Sequence, residues 1–204
     1  YLGRKGLFGK AIESAVATLP DAHIAVSDRT KTDLAELGVT GTHHVPNGID
    51  RDRIASVAPA GRDVDVLFAG RFIPEKNPTL LVEAVADLQE RWPGVTCTLV
   101  GDGPRREAVD AEIDRRGLAD AVTTLDFRED YEDVLALMQA AEVFVLPSRR
   151  EGFGITTLES LACGTPVVTI DHPQNAATEL VDPEVGAVTD PTPSTSSRSS
   201  SVAE

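Results

Sequence analysis

The stretch Val64-Asp-Val-Leu-Phe-Ala69, Gly70-Arg71-Phe-Ile-Pro-Glu-Lys76-Asn77, Pro78-Thr-Leu-Leu-Val-Glu-Ala-Val-Ala-Asp-Leu88 holds the architecture in miniature. Val64 to Ala69 is rich in apolar, strand-favouring residues and reads as a β-strand. Gly70 to Asn77 is a loop. Pro78 suits the first turn of a helix, where its missing N–H costs nothing. Leu80, Leu81, Ala84, Val85 and Leu88 then recur at helical spacing, an apolar stripe along one face. A strand, a short loop and an amphipathic helix form the repeating unit of a parallel sheet covered by helices.

The same alternation extends both ways. Upstream, Ile24 to Ser27 is a short apolar run, Thr30 to Leu37 reads as a helix stopping at Gly38, and Val45-Pro-Asn-Gly-Ile-Asp50 is extended and then turns. Downstream, Val95 to Val100 and Val122 to Phe127 read as strands. Arg105 to Arg116 and Tyr131 to Ala141 read as helices. Val143-Phe-Val-Leu146 is wholly apolar, the pattern of a strand buried on both faces. Ile155 to Ala162 reads as a helix with Ile155, Leu158 and Leu161 on its inner side, stopped by Gly164. Pro166 to Ile170 and Gly186 to Thr189 complete the strands. The fold class is therefore α/β, a Rossmann-like parallel sheet with helices on both faces. Ligands of such sheets bind beyond the carboxyl ends of the strands. Gly70, Gly101-Asp-Gly103 and Gly152-Phe-Gly154 all fall at that end.

Composition narrows the function. The 204 residues carry a formal net charge of −14, which argues against nucleic acid or an anionic membrane as the main partner. Lysine occurs only at positions 5, 10, 31 and 76, against fifteen arginines and eighteen aspartates. An acidic, lysine-poor surface suits a protein working in high salt, where screening removes self-repulsion. No run approaches the ~20 apolar residues that cross a bilayer. Cys97 and Cys163 sit among apolar residues and form no motif, as expected of reduced thiols in a cytoplasmic protein. The chain starts at Tyr1 rather than Met, as a piece of a longer protein would. Residues 191–204, serine-rich and aperiodic, are expected to be disordered, and no covering helix follows the last strand.

Two constellations carry chemistry. Arg71 and Lys76 lie five positions apart on the loop after the first long strand, and both residue types hold phosphates. Glu151 and Glu159 flank a Gly-Phe-Gly turn that opens a helix, where unpaired N–H groups and the positive dipole end receive an anion. Carboxylates there would repel a phosphate, so sugar hydroxyls are their natural partners. The segment reads as a site for a phosphate attached to a sugar. A third run, Gly101-Asp-Gly-Pro-Arg-Arg106, begins like a dinucleotide fingerprint but has Arg106 where glycine is needed, so it reads as a tight turn lining the crevice. His23, His43, His44 and His172 have no metal-binding spacing. His172 follows a strand and reads as either a crevice-lining residue or a loop residue without chemistry.

Together these residues resemble the retaining glycosyltransferases of GT-B architecture, specifically glycosyltransferase family 4 (glycosyl transferases group 1). The resemblance spans roughly residues 15 to 190. It rests on Ala25-Val-Ser-Asp-Arg-Thr-Lys31, Val45 to Asp50, Gly70-Arg71 with Glu75-Lys76, Leu99 to Pro104, Val143-Phe-Val-Leu-Pro-Ser148, Glu151 with Glu159, and Ala162-Cys-Gly-Thr-Pro-Val-Val168. It implies transfer of a sugar from a UDP-, GDP- or ADP-sugar to a lipid, glycan or small-molecule acceptor, with retained anomeric configuration and no cofactor or metal. It implies that Arg71, Lys76 and Glu151 are catalytic. The donor site would comprise Gly70, Arg71, Lys76, Phe127, Arg128, Glu151, Phe153, Gly154, Ile155 and Glu159. Within it, Arg71 and Lys76 neutralise the diphosphate and Glu151 meets the sugar. Phe153, Gly154 and Ile155 offer backbone N–H groups, Glu159 takes the ribose, and the base lies near Phe127 and Arg128.

Two departures accompany the resemblance. Residues 1–44 correspond only to the end of the N-terminal acceptor domain, 45–190 to the donor-binding domain, and the usual terminal helix gives way to the serine-rich tail. Asp126 stands where the family commonly has glycine, which bears on the contacts to the base. The expected location is cytoplasmic, with peripheral attachment to the inner membrane face through the missing domain. Three rivals stand beside this reading: a truncated, inactive nucleotide-sugar-binding module, a GT-B epimerase or phosphorylase-like enzyme, whose phosphorylase form would need a cofactor lysine or phosphate site that the sequence does not display, and an NAD-dependent oxidoreductase, which Arg106 disfavours.

Overall fold

A computed structural model describes residue 9 and residues 12–61, 64–128 and 130–191. Residues 192–204, almost the whole tail expected to be disordered, lie outside the described residues.

Six parallel strands form the main sheet: β3 (Val64–Ala69), β4 (Cys97–Val100), β5 (Val122–Leu125), β6 (Ala141–Leu146), β7 (Val167–Ile170) and β8 (Gly186–Thr189). Their order is β5-β4-β3-β6-β7-β8. Growth from β3 proceeds outward to β5, then returns to the other side of β3. A topological switch therefore lies between β3 and β6, where Val64, Val66 and Leu67 pair with Ala141, Val143 and Phe144. A smaller parallel pair, β1 (Ile24–Ala25) with β2 (His43–His44), precedes the main sheet.

The helices are α1 (Asp28–Glu36), α2 (Arg51–Ser56), α3 (Pro78–Arg91), α4 (Arg106–Arg116), α5 (Tyr131–Ala140) and α6 (Ile155–Ala162), with a 3₁₀ turn at Ala176–Leu180. Pro78 sits at the start of α3, whose Leu81, Val82 and Val85 are buried. Phe68, Phe72 and Phe144 are fully buried and join the core where β3 meets its neighbours. The helices α3 and α4 pack together beside the first half of the sheet, and α5 and α6 pack together against β3, β6 and β7.

Two expectations change. In β6, only Ala141, Phe144 and Leu146 are buried, whereas Val143 and Val145 are half-buried. They border an apolar groove of about 830 Å³ that also touches Leu80, Leu88 and Val168. The helix α3 covers one side of that sheet face, and the described residues supply no helix over β6 to β8 beside it. In α6, Thr157, Glu159 and Ser160 are buried, whereas Ile155 is 38% exposed and Leu158 and Leu161 are half-buried. The turn at Gly154 rotates the helix so that a polar stripe faces inward.

Candidate functional site

The loops after β3 and β6 leave the sheet side by side at the switch. Arg149 donates its N–H to Glu75 O at 2.7 Å, which fixes one loop against the other. Beyond that bond, Lys76 Nζ donates to Glu151 Oε2, with only 18% and 16% of the two side chains exposed. The sequence reading sends Lys76 to a diphosphate and Glu151 to a sugar. The fold joins them in one ion pair, because the switch brings two distant loops into contact. Arg71 is exposed and has no side-chain partner among the described residues.

The neighbouring loop after β4 is stitched to the same edge. Phe72 N–H donates to Asp102 O at 2.8 Å and Arg105 N–H to Phe72 O at 2.9 Å. Gly101 has φ +141°, and a Cβ there would stand 2.0 Å from Gly70 O. Backbone meets backbone at this point, so the glycine run is a close-packing device rather than part of a dinucleotide fingerprint.

Gly154 caps the start of α6 in the left-handed region, with φ 92° and ψ 54°, and no side chain caps that end. The leading N–H groups of α6 are therefore open to an anion. Phe153 is 7% exposed and its side chain packs inward. Ser148 Oγ and Thr157 Oγ1 are buried close to this turn in sequence and have no partner among the described residues, as is true of Asn77 Nδ2 beside Lys76. Buried hydroxyls and amides are normally satisfied.

Glu159 follows one turn further along α6 and is 7% exposed. Burial pushes its carboxyl above the usual range, and the Tyr131 hydroxyl donating to it works in the opposite direction. Burial and that same bond raise the Tyr131 phenol. Arg53 from α2 lies 5.2 Å over the Tyr131 ring and pairs with Glu132 at 3.4 Å. Thus Glu159 faces the first residue of α5, just beyond the loop after β5. Phe127 in that loop is 72% exposed, and Arg128 Nε is buried without a partner among the described residues. Asp126 does not hang free: Arg106 holds its Oδ1 at 2.8 Å and also reaches Thr124 and Asp110. The departure from glycine at 126 is thereby tied to a second arginine of the glycine-rich turn.

The switch and the α6 turn bring Gly70, Lys76, Glu151, Gly154 and Ile155 to one edge, and Tyr131 connects Glu159 with the loop carrying Phe127 and Arg128. His172 instead accepts a hydrogen bond from Gln174 N–H at 3.1 Å, shaping a turn. Sequence reasoning missed Tyr131, Ser148, Thr157 and Asn175. Asn175 was the most legible, because an asparagine in a Pro-Gln-Asn run after a strand signals side-chain-to-backbone bonding. It is 3% exposed, donates to Thr169 Oγ1 and Ile170 O, and belongs to the segment pairing with Glu151.

Residues 33–200 match the family profile described as glycosyl transferases group 1. The chain belongs to this family. Among known proteins, it is 35% identical over 137 residues to a D-inositol 3-phosphate glycosyltransferase of Segniliparus rotundus, covering 61% of this chain and 30% of that protein. It is 29% identical over 182 residues to a GDP-mannose-dependent α-(1-6)-phosphatidylinositol dimannoside mannosyltransferase of Mycobacterium tuberculosis, covering 85% of this chain and 46% of that protein. Among solved structures, Anabaena HepE in complex with UDP-glucose superposes with a TM-score of 0.77 and 27% identity, covering 89% of this chain and 53% of HepE. Thermosynechococcus elongatus sucrose-phosphate synthase gives 0.76 and 26%, covering 90% of this chain and 48% of the synthase. The chain spans about a third to a half of the length of the relatives it matches.

Proposed function

We propose that this chain is the donor-binding part of a hexosyltransferase that moves a sugar from a nucleotide diphosphate to an acceptor. The observation that carries this reading is the convergence of Lys76, Glu151 and the uncapped start of α6 at the β3–β6 switch. Cations and open N–H groups suit a leaving diphosphate, where negative charge grows as the glycosidic bond breaks. Support for the class of donor comes from relatives whose names specify GDP-mannose and whose structures hold UDP-glucose.

In this reading Arg71 meets the diphosphate first, being exposed and unpartnered among the described residues. Lys76 gives it a second cation, released in part from Glu151. Glu151, on the same edge, turns to a sugar hydroxyl. Phe153, Gly154 and Ile155 offer N–H groups, Glu159 approaches the ribose, and Phe127 with Arg128 borders the base. Gly70 lets the Arg71 loop leave the strand sharply. Front-face displacement, and with it retention, family 4 membership, a division at residues 44 and 45, a cytoplasmic setting and adaptation to high salt belong to the same proposal. No helix among the described residues is long and apolar enough to cross a membrane. Relatives named as transferases favour an enzyme over a binding-only module for the complete protein.

Calorimetric titration with UDP-glucose, GDP-mannose and ADP-glucose tests the reading. One of them is expected to bind, and Lys76→Ala to weaken it about 10- to 100-fold, the worth of a charged hydrogen bond. Equal affinity in wild type and Lys76→Ala, with both folded, overturns the assignment of Lys76.

A further inference from the structure

The turn between Glu151 and Gly154 is held from outside by the segment that precedes the main sheet. Ser27 Oγ lies 2.8 Å from Gly152 O. It also receives Thr30 N–H at 3.0 Å as the N-cap of α1. Thr30 Oγ1 is 3.0 Å away too, but it donates its own proton to Ser27 O and accepts from Ser27 N–H. The single Ser27 proton is thus best used on Gly152 O, the shorter contact. Ser27 is 1% exposed, so this bond is shielded from water.

A second contact pins α1 in place. The two oxygens of Glu179, on the 3₁₀ turn, accept Asp28 N–H at 2.9 Å and Arg29 N–H at 2.8 Å. A carboxylate there satisfies two orphan donors and meets the positive end of the α1 dipole. Arg29 adds a bond to Pro173 O. The far side of the Glu151 strand piece is bonded to the same region, through Glu151 N–H to Gln174 O at 2.8 Å and Ala176 N–H to Glu151 O at 3.0 Å.

We propose that Ser27 is a positioning residue for the donor: through Gly152 O it sets the direction of the Phe153 N–H. The two groups share one planar peptide unit and point oppositely, so fixing the oxygen aims the N–H. Glu179 serves the same end by clamping the helix that Ser27 begins. The effect on a donor rests on the function proposed above, whereas the latch itself does not.

Ser27→Asp separates the two duties of Ser27. Aspartate caps a helix as well as serine does but has no proton for Gly152 O. Ser27→Ala loses both duties, and Ser27→Thr keeps both. In the 204-residue chain, Ser27→Asp and Ser27→Ala are expected to exchange the Glu151 and Ala176 amide hydrogens about tenfold faster, relative to β3 and β6. They are also expected to bind the preferred nucleotide sugar about tenfold more weakly, about 1.4 kcal/mol, with Ser27→Thr restoring both. Unchanged exchange in both variants overturns the latch. Faster exchange with unchanged affinity overturns the positioning role. Faster exchange in both variants, with a wild-type chain that binds none of the three nucleotide sugars, overturns the donor reading and keeps the latch.

Discussion

Gly154→Ala probes the tightest point of the candidate site. At φ 92° an alanine would sit in the left-handed region, which costs about 1–2 kcal/mol for an L-residue. Its Cβ would also stand 2.7 Å from Ala177 Cβ and 3.2 Å from Ala177 Cα, with Thr157 Oγ1 at 3.4 Å. Ala177 is completely buried on the 3₁₀ turn, so it has nowhere to go. Overpacking of this kind adds about 1–3 kcal/mol, for a total of about 2–5 kcal/mol. In a chain of this size that lowers Tm by roughly 4–20 °C. Gly164→Ala is the matched control: Gly164 has φ +84° and nothing within 4 Å of a built Cβ, so it incurs the conformational cost alone. Thermal and urea unfolding followed by circular dichroism should place Gly154→Ala clearly below Gly164→Ala. The double variant Gly154→Ala with Ala177→Gly should recover part of the gap, because the 2.7 Å contact disappears. Equal losses in the two single variants would refute the close packing of α6 on the 3₁₀ turn.

Other outcomes follow from the charged groups. Hydrogen bonds from Arg115 and then Arg116 hold Glu112 down to about 2, against a burial effect that raises it. The stability it contributes is present above the usual carboxylate range and is lost as pH falls through about 2. Because Arg115 is 62% exposed, solvent screening leaves a small contribution, so Glu112→Gln should lower Tm slightly at pH 7 and progressively less as pH falls towards 2. Glu159 has the opposite sign: burial raises its carboxyl, so the folded state favours the protonated form and that advantage is lost as pH rises through its folded value. Glu159→Gln, which can still accept from Tyr131, should flatten the fall in stability that wild type shows as pH rises out of the usual carboxylate range, and a profile parallel to wild type in pH-dependent melts would contradict the burial argument.

Much of the fold was legible because its units are local. The β3–loop–α3 segment carries its own strand pattern, its own loop and Pro78 at the helix start, so neighbours add little to its reading. Burial was less legible where it depends on what is packed alongside. Val143 and Val145 have the composition of a doubly buried strand, yet no local property of theirs says whether a helix lies above. The inward stripe of α6 was misread for a related reason: Thr157, Glu159 and Ser160 face in because Gly154 sets the helix rotation, and that angle is a backbone property with no hydrophobic signature. At the site, Arg71, Lys76 and Glu151 stood out as residue types on glycine-rich loops. Their pairing did not, since Lys76 and Glu151 meet only through strand order. Ser27 and Glu179 were invisible for the same reason, each being an ordinary polar residue until the chain closes over Gly152.

The pairing of β3 with β6 also bears on how the molecule acquires its function in time. Val64 must find Ala141 across the whole β4–β5 half of the sheet, whereas β3 with β4 and β4 with β5 are sequence neighbours. Contacts of long sequence separation cost more chain entropy to close than local ones. The edge that holds Lys76 against Glu151 exists only once that long closure is made. A half-assembled chain therefore has a glycine loop and an arginine but no site, and a ligand of the finished edge binds the completed fold alone, stabilising it by mass action.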